Sequence, residues 1–237
     1  MTESANKVAV ITGASRGIGA ALVDAYRVRG YSVVATARSI RPASDPEVLT
    51  VAGDLSDAET AQRVMDEALR RFGRVDTLVN NAGVFVAKRF TEYSVEDYER
   101  IVGVNLDGFF HITRRAIDHM CGRGEGHVVN ITTTLVEHAS SSVPSALTSL
   151  TKGGVAAATR SLAIEYAAAG IRVNAVSPGV IRTAVDDAAA YEGLAELHPL
   201  QRVGEIDDVV RGVLYLESSP FVTGEFLHID GGQSAGR

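Results

Sequence analysis

Hydrophobic positions along the chain fall into short, nearly continuous apolar runs that alternate with longer stretches of helical spacing. Val8-Ala9-Val10-Ile11 opens the series and is broken by Gly13. Residues 18–29 then set Ile18, Leu22, Tyr26 and Val28 among polar neighbours, and Tyr31 to Ala35 follows Gly30 as a second run. Strand, helix and strand within about thirty residues is the size of a βαβ unit. The alternation continues, predicting strands at 48–52, 77–79, 127–131, 171–176 and 225–229 and helices at 57–72, 95–120, 149–169 and 205–217. Ser56 or Asp57 is the cap of the helix at 57, and Gly170 stops the Ala-rich helix.

Strands this short and this apolar are buried on both faces. The predicted fold class is therefore α/β, a doubly wound parallel sheet with helices on both faces. No Pro/Ser/Gly-rich linker, fixed-period repeat or low-complexity segment interrupts it, so residues 1–237 read as a single domain.

Composition narrows the function classes. With 46% hydrophobic and 22% charged residues the chain is an ordinary globular protein, which excludes disordered and fibrous classes. A formal net charge of -6 argues against nucleic acid as a partner, although a local basic pocket is compatible with it. The single cysteine, Cys121, allows no intramolecular disulfide and suits a reducing compartment. No apolar run approaches the ~20 residues of a membrane span, and Met1 to Lys7 lacks the apolar core of a signal peptide. A soluble, cytoplasmic protein is expected. Only Lys7, Lys88 and Lys152 are lysines among 23 basic residues, which makes Lys152 conspicuous.

The strongest chemical signal is Thr12-Gly13-Ala14-Ser15-Arg16-Gly17-Ile18-Gly19, between the first strand and the first helix. Glycines there permit a tight turn and close approach of backbone to a pyrophosphate, and the helix N-terminus offers free N–H groups and a positive dipole. A turn that is merely glycine-rich is the alternative. The spacing is GxxxGxG, one residue wider than the GxGxxG fingerprint.

This turn, together with Asn80-Asn81-Ala82-Gly83, Ser177-Pro178-Gly179 and the ending Gly224 to Gly232, resembles the short-chain dehydrogenase/reductase family. The likeness covers about residues 7–233 and is nearest to bacterial β-ketoacyl-carrier-protein reductases and related carbonyl reductases. It implies a single Rossmann-type domain binding a nicotinamide dinucleotide through Gly13, Ser15, Arg16, Gly17, Ile18 and Gly19. It also implies Asp54 and Leu55 beside the adenine and Asn81, Ala82 and Gly83 along the adenosine ribose. Pro178, Gly179, Ile181 and Thr183 would face the nicotinamide. Asp54 would equally serve as a helix cap, and Pro178-Gly179 as an ordinary turn.

Cofactor choice is read from the second strand. NAD-type domains place an acid about twenty residues past the glycines, whereas here the strand ends Thr36-Ala37-Arg38. A planar guanidinium there suits a 2′-phosphate, with Arg16 adding a second charge. NADP(H) is the expected cofactor, the alternative being two solvated arginines.

The family pattern includes a serine, Tyr-x-x-x-Lys and an upstream asparagine. Lys152 and Asn105 match the lysine, which also holds the nicotinamide ribose, and the asparagine, which orders a water. Thr133 is the best match to the serine. The tyrosine position is Thr148, and no Tyr-x-x-x-Lys occurs anywhere in the chain. A phenol titrates near ~10 and is tuned by a neighbouring cation; an aliphatic hydroxyl is far less acidic. Candidate substitutes for the proton donor are His138, Tyr191, His198 and Lys152 acting through water. His111, His119, Cys121 and His127 follow no usual metal-ligand spacing, and no metal is expected. Residues 183–200 are expected to form a substrate lid.

Three readings follow. The first is an NADP(H)-dependent oxidoreductase of a ketone and secondary alcohol, with Thr133 and Thr148 polarising the carbonyl, Lys152 orienting the ribose, and Asn105 with water relaying protons. The others are a catalytically silent nucleotide-binding sensor or scaffold, and a non-redox lyase or isomerase. The resemblance also implies a homo-oligomer, dimer or tetramer.

Overall fold

The computed structural model describes residues 6–183, 191 and 193–236. β1 (Val8–Thr12), buried at all five positions, lies inside a seven-stranded parallel sheet. On one side it pairs with β2 (Ser32–Ala37), which pairs with β3 (Val48–Ala52). On the other follow β4 (Thr77–Asn80), β5 (Gly126–Ile131), β6 (Ile171–Pro178) and the edge strand β7 (Phe226–Ile229). The order is thus β3-β2-β1-β4-β5-β6-β7. The chain builds outward from β1 in one direction, then returns to start again at β4. The crevice opened by that reversal, at the carboxyl ends of β1 and β4, is where such sheets hold ligands.

The two-residue period of each strand sorts its side chains between two apolar layers. Val8, Val10, Val34, Leu78, Val128 and Val173 face α2 (Ala58–Phe72) and α4 (Gly108–Arg123), through Val64, Met65, Ile112 and Met120. Ala9, Ile11, Val33, Val79 and Val129 face α1 (Gly17–Val28) and α6 (Ile206–Glu217), through Leu22, Tyr26, Val209 and Val213. Each fully buried Val, Leu or Ile contributes about 1.5–3 kcal/mol, so both faces anchor the crevice rigidly.

The end of the sheet away from the crevice is closed by a polar cluster. Tyr26, Tyr31 and Thr77 donate to the Glu217 carboxylate at 3.1, 2.9 and 3.1 Å, and His127 Nδ1 lies 2.8 Å from it. Asn174 Nδ2 is 3.1 Å from His127 Nε2, so the imidazole accepts there and carries its proton on Nδ1. Arg172 caps the end of α6 by donating to the carbonyls of Leu216, Ser219 and Val222.

Several boundaries differ from the sequence expectation. The predicted helix at 95–120 is two helices, α3 (Val95–Val102) and α4, joined by a π-helical turn over Gly103–Asp107. The apolar spacing runs on through the turn, so periodicity does not register it. The Ala-rich helix α5 (Ala146–Glu165) begins three residues early and ends before a 3-10 turn at Ala167–Ala169. Leu147 and Thr148 are buried in its first turn, a tertiary contact that accounts for the earlier start after Ser145. A short parallel pair, Ile181–Arg182 with Gly204–Glu205, was not expected. Asp57, not Ser56, is the cap of α2, accepting from Glu59 N–H. Of the expected lid at 183–200, residues 184–190 and 192 lie outside the described residues.

Candidate active site

The turn after β1 requires its glycines for contact as well as conformation. Gly13 has φ +65, and a Cβ on it would lie 2.9 Å from the Cα of Ala82. A Cβ on Gly19 would lie 2.3 Å from the Gly13 carbonyl oxygen and 2.6 Å from Asn81 Nδ2. The turn is thereby pressed against the end of β4. Asn81 Nδ2 donates to the Thr12 and Gly13 carbonyls at 2.9 and 3.2 Å, and the Asn81 and Ala82 amides donate to Thr12 Oγ1. Against this frame opens a cleft of about 520 Å³, lined by Ser15, Arg16, Arg38, Asp54, Leu55 and Gly83 among others. Among the described residues neither Arg16 nor Arg38 has a salt-bridge partner, and both are exposed. Asp54 accepts from the amide and hydroxyl of Ser56 and lines the cleft; it is not the helix cap of its alternative reading, since Asp57 caps α2.

A glycine bed, a helix N-terminus and two unpaired guanidinium groups form a donor set matched to a dinucleotide with an extra phosphate. Gly13, Gly17, Ile18, Asn81, Ala82 and Thr183 lie in the same cleft. Gly19 lies behind it, as the contact that lets α1 approach.

A second cavity, of about 620 Å³, adjoins the first through Ile18, Asn81, Gly83, Val84 and Thr183. Thr133, Thr148, Lys152, Pro178, Gly179 and Ile181 all line it. Lys152 Nζ donates to the Ile131 carbonyl at 2.7 Å, and a Cβ on Gly83 would press on that ammonium at 3.1 Å. Burial pushes the Lys152 ammonium down from its ordinary 10.5 to about 8. Thr133 Oγ1 accepts from the Leu135 amide, which leaves its own proton to donate. Thr148 is 2% exposed, and its hydroxyl is buried with no hydrogen-bond partner.

Asn105 borders neither cavity. It lies in the π-helical turn, where Oδ1 accepts from the Val84 amide at 2.8 Å and Nδ2 donates to the Val84 carbonyl and to Thr151 Oγ1, both at 3.0 Å. Its side chain therefore ties the loop after β4 to α5. A void of about 10 Å³ bounded by Asn105, Asn80, Thr12 and Lys152 lies between them.

Residues 13–234 match the family profile described as "Enoyl-(Acyl carrier protein) reductase". The chain belongs to the short-chain dehydrogenase/reductase family. It is 36% identical to 3beta-hydroxysteroid dehydrogenase 1 of Eggerthella lenta, over 96% of this chain and 94% of that protein. Among solved structures, ElxO with NADP bound superposes with a TM-score of 0.90 at 29% identity, covering 98% of this chain and all of that one. The 3-ketoacyl-(acyl-carrier-protein) reductase of Brucella melitensis, complexed with NADH, does so at 0.89 and 32%, with coverage of 98% and 100%. This short-chain dehydrogenase/reductase is accordingly an oxidoreductase by family.

In this family member the position four residues before Lys152 is Thr148, so the substitute donors proposed from sequence bear directly on the chemistry. His198 is 1% exposed, but Nε2 accepts from the Val180 amide and Nδ1 donates to the Leu194 carbonyl, both at 3.1 Å. It braces Gly179, on which a Cβ would meet it at 2.7 Å. Tyr191 accepts from the Thr183 amide through its hydroxyl, with Arg182 over its ring. His138 is exposed. None of the three lines the cavity; Lys152 does. Leu194 and Leu197 of the expected lid segment also line it, and so do Ser142, Val143 and Gln233, which no sequence signal had singled out. Among the described residues no group of three His, Cys, Asp or Glu side chains could hold a metal, and no helix is long and apolar enough to cross a membrane.

Proposed function

We propose that the protein is an NADP(H)-dependent oxidoreductase that interconverts a ketone and a secondary alcohol, with Lys152 as the proton source. The observation that carries this reading is that Lys152 is the only titratable side chain among the described residues lining the 620 Å³ cavity. The dinucleotide, when bound, gives a hydride to the carbonyl carbon or takes one from the alcohol. Arg16 and Arg38 hold its 2′-phosphate, and Gly13 and Gly17 admit its pyrophosphate to the amides at the start of α1. Thr133 donates to the reacting oxygen. Lys152 Nζ supplies the proton that oxygen needs, and the Thr148 hydroxyl, which has no other partner, would turn to accept from Nζ and donate onward. The neutral amine is then recharged from solvent through the void beside Asn105, which is close to the volume of one water.

The cavity's apolar walls suit a neutral, largely hydrocarbon ketone. The relative from Eggerthella lenta is named for a hydroxysteroid, an alcohol of that kind. The reading also includes a cytoplasmic homo-oligomer, dimer or tetramer, in which the exposed Phe110 of α4 and Leu150 and Ile164 of α5 are covered. NADPH consumption against a panel of neutral cyclic ketones tests the activity. Turnover by the wild type and its loss in Lys152→Met support it. Heat of NADPH binding without turnover of any ketone supports a silent nucleotide-binding protein instead, and absence of heat with either pyridine nucleotide overturns both.

A further inference from the structure

The cavity wall includes Gln233, a polar side chain that the reaction does not use. Gln233 is 6% exposed, lines the cavity, and its Oε1 has no hydrogen-bond partner. Its placement is built, not incidental. Asp230 accepts the Gly232 amide on Oδ1 at 2.9 Å and the Ser234 amide on Oδ2 at 2.8 Å, and its carbonyl accepts the Gln233 amide at 3.1 Å. Thr134 Oγ1, next to Thr133, reaches Asp230 Oδ2 at 3.5 Å. Gly231 and Gly232 turn the chain at φ 61 and 90, so close to the His198-Pro199 segment that Cβ atoms would stand 3.1 and 3.2 Å from it. The carboxamide shares a mostly apolar wall with Phe85, Leu135, Val143, Leu194 and Leu197.

Leaving a buried acceptor unpaired is costly; Oε1 is enclosed, so a ligand recovers that cost as selectivity by drawing the carboxamide round to face it. Among the described residues the wall carries no charge besides Lys152, which suits a neutral complementary group. A carboxamide can present either its oxygen or its nitrogen, and a hydroxyl, which both donates and accepts, satisfies both orientations. We infer that Gln233 is a specificity-determining residue that binds a hydroxyl on the substrate remote from the reacting carbonyl, and that the substrates are neutral hydroxy-ketones, or the matching diols, on an apolar skeleton. The inference rests on the cavity being the substrate site of the reading above.

The test compares 1-decalone with its ring-hydroxylated isomers, measuring turnover with NADPH and, separately, dissociation constants for the NADP(H)-loaded protein by ligand-observed NMR. At least one hydroxylated isomer should bind and show a KM roughly 10- to 100-fold lower than the parent. Gln233→Leu should erase that preference, so that hydroxylated and parent ketones give the same KM, and Gln233→Glu, which keeps an acceptor, should retain part of it. Equal KM and binding for the parent and every isomer would overturn the inference even if all are turned over, as would Gln233→Leu weakening parent and hydroxylated ketones alike. A hydroxyl preference in binding without any turnover would leave the inference standing and remove the oxidoreductase reading.

Discussion

Lys152 Nζ donates to the carbonyl oxygen of Ile131 at 2.7 Å, which ties the first half of α5 to the last residue of β5 and fixes the only charge among the described residues of the inner cavity. The bond compensates little of the desolvation, and the ammonium is left at about 8. A group in that range is half-ionised close to working pH, as an effective acid–base catalyst should be.

The pH dependence follows from the sign of that shift. Carbonyl reduction needs the ammonium, so kcat should be full below pH 8 and fall as pH rises through about 8. Alcohol oxidation needs the amine and should rise across the same interval. Lys152→Met should lower kcat by about 10²–10⁴. A profile for reduction that stays flat to pH 10 would eliminate Lys152 as donor.

Thr148 separates activity from stability. Its hydroxyl is buried and unpaired, so Thr148→Val removes a desolvation cost and should leave the fold as stable or about 1 kcal/mol more so. A melting temperature unchanged or raised by about 2–4 °C is expected, with kcat down about 10-fold or more. A Thr148→Val protein that is destabilised, or that keeps full activity, contradicts the assigned role.

Cofactor preference should be set at the end of β2. Arg38→Asp removes one charge-assisted partner of a 2′-phosphate and installs an acceptor for a ribose hydroxyl. NADPH should bind roughly 10- to 100-fold more weakly and NADH more tightly, read by calorimetry. Parallel losses for both nucleotides would argue that Arg38 is only a surface charge.

Acid sensitivity should come from the opposite end of the sheet. Burial pushes the His127 imidazole down, outweighing the hydrogen bond to Glu217 that raises it. Burial also raises the Glu217 carboxyl, but donors including His127, Tyr31 and Thr77 hold it down at about 2. The unfolded histidine, titrating near ~6.5, takes up a proton that the folded one refuses. Stability should therefore be full above that value and decline as pH falls from it, by up to about 1.4 kcal/mol per unit. Denaturant unfolding of His127→Gln should show a lower plateau and a shallower decline between pH 5 and 6.5. An unchanged slope would place the sensitivity elsewhere.

How much of this was legible beforehand differs by element. The apolar runs at Val8–Thr12 and Ile171–Pro178 announce strands buried on both faces, and the glycine turn announces a phosphate bed, because both depend on neighbours in sequence. The π-helical turn around Asn105 was hidden, since the buried positions Ile101, Asn105, Gly108 and Ile112 keep intervals of three or four residues through it. The start of α5 was misplaced because the burial of Leu147 and Thr148 in its first turn is a tertiary contact that local spacing does not encode.

The amino-acid sequence by itself determined the doubly wound fold, the nucleotide turn, the lone lysine of the site and the absence of a tyrosine four residues before it. These are facts of local spacing and residue type, and short-range sterics and hydrogen bonding suffice to express them. Only the tertiary structure decided that His198 is spent on backbone groups, that Tyr191 and His138 stand outside the cavity, and that Gln233 stands inside it. Those outcomes depend on contacts such as Thr134 with Asp230 and Tyr26 with Glu217, separated by 96 and 191 residues along the chain. Which groups meet across such separations is settled when the two apolar layers close on the sheet, and no local pattern encodes it.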